Sequence, residues 1–162
     1  MKKEQCEGAR FRRAQPAAAD TLAERLTARY RRVFSRAAAI ARSQALERIF
    51  DELGFQRSLG GYKTLLYAVR LYCSADPRSL SDTSFKQIIE ACAEEFDGAP
   101  RWIEKQMRLV ILKAYKTGSI LNFDKYAVAN PVDLRYPMTA AEFAAELRSR
   151  FILEAMKEET EF

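Results

Sequence analysis

Apolar residues in this chain recur with the period of a helix. Leu22, Leu26, Tyr30, Val33, Ala37 and Ile40 fall three or four apart and line one stripe. Asp20 is placed to cap that helix. The period runs on through Leu46, Ile49, Phe50 and Leu53 until Gly54, which suits a C-cap. After Gly60-Gly61, the residues Leu65, Leu66, Ala68, Val69 and Tyr72 crowd one broad face and predict a buried central helix from about Tyr62 to Cys73. Ser74 to Thr83, with Asp76-Pro77 and several serines, reads as a loop.

Two helices then follow in close succession. Ser84 with Gln87 predicts a capping box for a helix ending near Phe96. Asp97-Gly98-Ala99 reads as a short turn, and Pro100 suits the first position of a helix that runs to about Lys116, with Gly118 as its stop. Ser119 to Pro137 has little period and two prolines, which predicts an extended connector. Thr139 and Glu142 form another capping box, opening a last helix with Phe143, Leu147, Phe151 and Leu153 on it; the acidic end from Glu158 to Phe162 is expected to fray.

The pattern therefore predicts an all-α fold of about six helices, with a helix-turn-helix at Ser84–Lys116 inside a compact helical domain. The expected organisation is a flexible basic tail over 1–18, a basic amphipathic helix over 19–44, the helix-turn-helix domain over 45–155 and an acidic tail over 156–162.

Composition narrows the chemistry. The 162 residues are 48% hydrophobic and 30% charged, as in a folded globular domain. Histidine is absent, which excludes Ser-His-Asp and Cys-His catalysis and every zinc site that uses imidazole. Cys6, Cys73 and Cys92 are far apart and form no CxxC pair; free thiols are expected, with Cys73 and Cys92 as small core residues. No nucleophile–base pair and no glycine-rich phosphate loop appears, so no enzyme, metal, cofactor or small-molecule substrate is expected. No stretch reaches the length of a membrane span, and no apolar segment follows the first basic residues, so a cytoplasmic protein without membrane association is expected.

Charge is distributed unevenly. Residues 1–45 carry eleven Lys/Arg against four Asp/Glu, and residues 46–162 carry sixteen against eighteen. Arg25, Arg29, Arg32 and Arg36 form a second stripe beside the apolar one on the first helix. That stripe fits a solvated face, a dimerising helix or an arm that contacts phosphates. The second basic concentration lies on the helix Pro100–Lys116. There Ile103, Met107, Val110, Ile111 and Ala114 form the buried side, while Arg101, Lys105, Arg108, Leu112 and Lys116 point the other way. Arg108 and Lys105, one turn apart, suit guanine O6 and N7 in a major groove, and Glu104 at the edge of that face suits cytosine N4. Trp102 and Lys113 lie to one side, as a sugar-phosphate wall requires. The same pattern also describes an ordinary basic amphipathic helix with a solvated face.

The segment FDGAPRWIEKQMRLVILKAYKTG, Phe96 to Gly118, resembles the recognition-helix region of the master sporulation response regulator of endospore-forming bacteria. The shared landmarks are Phe96, Ile103-Glu104-Lys105, Arg108, Ala114-Tyr115 and Gly118. Upstream, Leu53-Gly54, Gly61-Tyr62, Leu65 and Ala68-Val69 match the same family, and downstream Thr139 with Glu142-Phe143 does. The resemblance covers roughly residues 45–153. It implies a six-helix effector domain that binds double-stranded DNA in tandem copies, with Glu104, Lys105 and Arg108 as base-reading residues; Arg101, Trp102, Lys113 and Lys116 would flank them on the backbone. A homodimer fits as well as tandem copies do. The chain departs from the pattern at Ile88-Ile89-Glu90, at Leu109 and by two extra residues in the Ser74–Thr83 loop. Residues 1–45 are too short and too basic for the receiver domain that the family carries, so the usual phosphorylation switch is not expected. The competing reading is a protein-interaction module that binds or titrates another regulator without reading DNA; Leu109 and Leu112 on the outer face favour it, and the four basic residues there oppose it.

Overall fold

The computed structural model describes residues 21–76, 78 and 82–160. The expected tail over 1–18 lies outside them, as do Cys6 and residues 161–162. The described residues form helices α1 (Leu22–Arg42), α2 (Gln44–Glu52), α3 (Gly60–Ser74), α4 (Asp82–Glu95) and α5 (Pro100–Thr117), a 3-10 helix (Ser119–Lys125) and α6 (Ala140–Thr160), with no strand among them. The all-α expectation holds. None of these helices is long and apolar enough to cross a membrane.

Helix α3 is the hub, packed against α1, α4, α5 and α6. It is apolar nearly all round because it has neighbours on most sides: Tyr62, Leu65, Leu66, Ala68, Val69 and Cys73 are all buried. Its N-terminal turn meets α5 so closely that a Cβ at Gly61 would fall 2.1 Å from the Gln106 carbonyl oxygen. Only glycine allows that approach. At its other end, Arg70 Nε donates to the Ala41 carbonyl at 3.2 Å, placing a cation on the carbonyl end of α1. Under α3, the rings of Phe50, Phe55, Phe123 and Phe143 form the aromatic heart of the core, with centroids 5.0 to 6.0 Å apart.

The structure departs from the sequence pattern at four places, the cap of α1, the start of α4, the connector and the end of α6. Thr21 caps α1, one residue beyond Asp20, by a reciprocal box with Glu24. The apolar period that runs from Leu22 to Leu53 is divided between two helices at Ser43, next to the expected limit of the basic helix at residue 44; the Ser43 hydroxyl donates to the Ile40 carbonyl and accepts from Ala45 N–H, ending one helix and capping the next. Helix α4 begins at Asp82, so Ser84 and Gln87 lie inside it rather than capping it. The expected extended connector opens with the 3-10 helix, which buries Ile120 and Phe123. Helix α6 continues to Thr160, because Glu159 meets Arg29 at 3.2 Å and Arg32 at 3.7 Å on α1, and Glu158 meets Arg36 at 3.5 Å.

The second half of the connector is held by one buried carboxylate. Glu146 of α6 accepts from the N–H groups of Val128 (2.8 Å) and Ala129 (3.2 Å) and from Asn130 Nδ2 (3.0 Å). Burial alone would push this carboxyl up, but the three donors outweigh it and hold the pKa below the ordinary value. The expected Thr139–Glu142 box is present, with both reciprocal hydrogen bonds at 3.0 and 3.2 Å.

Candidate nucleic-acid interface

The turn between α4 and α5 is made by four residues, Phe96 to Ala99. Phe96 N–H still bonds back to the Cys92 carbonyl at 2.9 Å. Asp97 then takes a left-handed conformation (φ 49°), which lets Gly98 N–H reach the Ala93 carbonyl at 3.0 Å. This closes α4 in the manner of a Schellman cap. Gly98 lies under the second helix: a Cβ there would sit 3.1 Å from the Trp102 ring and 3.2 Å from Ile103. Ala99 precedes Pro100, which occupies the first helical position where its missing N–H costs nothing. Phe96 finds its ring partner on α3, edge-on to Tyr67 at 5.5 Å.

The two sides of α5 have opposite characters. Ile103, Met107, Val110, Ile111, Ala114 and Tyr115 are buried, and the Tyr115 hydroxyl accepts from Met138 N–H at 3.0 Å. On the outer side Arg101, Lys105, Arg108 and Lys116 are exposed, and none of the four has a hydrogen bond or ion pair among the described residues. Glu104 is exposed beside them and equally unpaired. Leu109 is 46% exposed on this side, whereas Leu112 is half-buried.

Two edges frame the outer face. On one, Trp102 stands half out of the surface over Gly98, and further along Lys113 Nζ donates to Gln56 Oε1 at 2.7 Å. On the other, Lys86 and Glu90 of α4 face Pro100, Arg101 and Glu104 across an open hollow of about 600 Å³. The structure thus brings Arg101, Glu104, Lys105 and Arg108 onto one exposed surface, while Lys113 is engaged with a neutral amide. Lys86 escaped the sequence reading because it lies on the first helix of the pair. Only the crossing of α4 over α5 sets it beside Arg101 and Glu104; an exposed cation at the N-terminal end of α4 was the one available signal.

The two described cysteines lie in the core. Cys73 and Cys92 are buried free thiols, and burial pushes their pKa values up to about 12 and about 11. Both therefore stay protonated near neutral pH and serve as core residues.

The family model described as sporulation initiation factor Spo0A C terminal matches residues 46–151. The matched span begins within α2, includes α3, α4, the turn and α5, and ends within α6; α1 and the last turns of α6 lie outside it. No curated protein and no solved structure matches the chain.

Proposed function

The chain belongs to the family of Spo0A C-terminal sporulation effector domains, which are DNA-binding, and on that premise we propose that it reads double-stranded DNA with α5 in a major groove. The observation that carries this reading is the row of exposed, unpaired cations on α5, held by a helix whose other side is fully packed. Cations left without acid partners keep their full attraction for phosphates and base acceptors, and a rigid backing lowers the entropy cost of aligning them.

Arg108 is the bidentate reader of guanine O6 and N7, with Lys105 one turn earlier on a neighbouring acceptor and Glu104 accepting from cytosine N4. Arg101, Lys116 and Lys86 flank that strip and contact phosphates, as does Lys113 once it leaves Gln56; Trp102 packs on the sugar-phosphate wall. Binding as a homodimer or as tandem copies requires half-sites about one helical turn, roughly 34 Å, apart. Transcriptional regulation follows from occupying such sites.

The test is fluorescence anisotropy on a duplex carrying the family's operator box and on a scrambled duplex, across a salt series. Arg108→Ala is expected to weaken operator binding by about 1–3 kcal/mol while barely changing the scrambled duplex. Equal, steeply salt-dependent binding to both duplexes would remove the base-reading role. Exposed Trp102 and Leu109 favour a second reading, in which this face binds another regulator. Absence of duplex binding at low salt would select it.

A further inference from the structure

Helix α1 is held more lightly than α5. It buries one valine and three alanines, Val33, Ala37, Ala38 and Ala41, where α5 buries Ile103, Met107, Val110, Ile111, Ala114 and Tyr115. Its larger side chains on the core-facing side stay partly in water: Phe34 and Ile40 are half-buried, and Leu26 and Tyr30 are exposed. Little apolar area therefore fixes it to α3 and α6. Its ion pairs to Glu158 and Glu159 use arginines whose side chains are 46–70% exposed, and such pairs contribute little.

The junction of α1 with α3 and α6 also contains a charge that opposes docking. The Arg148 guanidinium of α6 lies between the rings of Phe34 on α1 (5.2 Å) and Tyr72 on α3 (5.6 Å), and its Nε and Nη2 are buried with no hydrogen-bond partner. A guanidinium keeps its proton, so two charged donors have lost water without gaining an acceptor. The ring faces answer that loss only in part. When α1 leaves, Phe34 leaves with it and Arg148 regains water. The joint for such a movement is Ser43, the one residue between α1 and α2, whose backbone is extended (φ −79°, ψ 172°). The hydrogen bond from Arg70 to the Ala41 carbonyl fastens only the end next to that joint. Helix α1 lies outside the segment 46–151 that matches the family, and the cluster of Phe50, Phe55, Phe123 and Phe143 takes no ring from it.

We propose that α1 is a hinged clamp that undocks as a unit about Ser43 while α2 to α6 stay folded, uncovering Arg148, Tyr72 and Cys73. Cys73 supplies the readout, since its thiol is buried and lines the same hollow as Tyr30, Phe34 and Ala38 of α1. Cys92, equally buried on α4, is the internal reference. The full chain, without DNA, is treated with N-ethylmaleimide under native conditions, and modification is followed peptide by peptide by mass spectrometry, beside amide hydrogen exchange. Cys73 is expected to react at least about tenfold faster than Cys92, with the amides of residues 33–41 exchanging in step with it while those of α5 stay protected. Arg148→Met removes the stranded charge and should slow Cys73 about threefold or more. Ala37→Leu overpacks the docking face and should speed Cys73 about tenfold, each variant leaving Cys92 unchanged. Equal rates at the two thiols would mean that only global unfolding reaches this face, and would overturn the proposal. A parallel rise at both thiols in Ala37→Leu would do the same, by making α1 integral to the core. Faster reaction of Cys73 in Arg148→Met would make Arg148 a pin for α1 and overturn it as well.

Discussion

Helices α1 and α5 are the two basic helices of this protein, and by composition they look alike. Helix α5 carries Arg101, Lys105, Arg108, Lys113 and Lys116 against Glu104; α1 carries Arg25, Arg29, Arg31, Arg32, Arg36 and Arg42 against Glu24. Their surroundings differ. On α1 the stripe Arg29, Arg32 and Arg36 is met by Glu158 and Glu159 of α6, with Glu159 largely covered between two arginines. On α5 the one acid that another element brings near, Glu90 of α4, faces Arg101 across the hollow without pairing with it, and among the described residues only Lys113 of these cations has a hydrogen-bond partner, a neutral glutamine. One stripe fastens a helix end, and the other is presented. A run of basic residues at helical spacing becomes an interface only where the fold withholds the acids that would otherwise close it.

The largest effect should come from displacing α5 without touching its charges. Gly61→Ala drives a methyl into the Gln106 backbone, and the loss of stability is expected to be about 3 kcal/mol or more, read as a lower midpoint in urea. Wild-type stability in that variant would mean that α3 does not fix the position of α5.

Acid should separate structural charge from presented charge. Glu146 has its folded pKa below the ordinary 4.5, so its contribution is fully present above that value and is lost as pH falls through the folded pKa. Stability is expected to decline below about pH 4.5, with Glu146→Ala removing part of that dependence and costing about 2 kcal/mol at neutral pH through three orphaned donors.

Smaller effects sharpen the contrast between the two stripes. Glu158→Gln with Glu159→Gln should lower stability by less than about 1 kcal/mol, and less at high salt, because the three arginines remain partly hydrated. Arg32→Ala should leave operator affinity unchanged while Arg108→Ala reduces it; a shared loss would unite the two surfaces in one DNA contact. Asp97→Gly relieves a left-handed non-glycine residue in the turn before α5, and a gain of about 0.5–1 kcal/mol is expected with DNA binding intact.

Much of this was legible along the chain. Gly118 at the end of α5, Pro100 at its start and the Thr139–Glu142 box lie where local rules put them, because caps and stops depend on neighbours within four residues. The outer face of α5 followed from the helical period alone: Arg101, Lys105 and Arg108 are exposed as the wheel requires. The misses have separate causes. The 3-10 helix has no 3.6-residue period to detect. The continuation of α6 to Thr160 accompanies ion pairs across 130 residues.

The sequence by itself determined the all-α class, the helix-turn-helix and the side of α5 that faces outward, since periodicity and capping act over a few residues. Only the tertiary structure decided which basic stripe is spent and which is free. It also decided that Lys86 flanks the candidate interface. Those outcomes rest on electrostatic and packing partners that are remote in sequence, and a charge has no assigned role until the fold brings its neighbours.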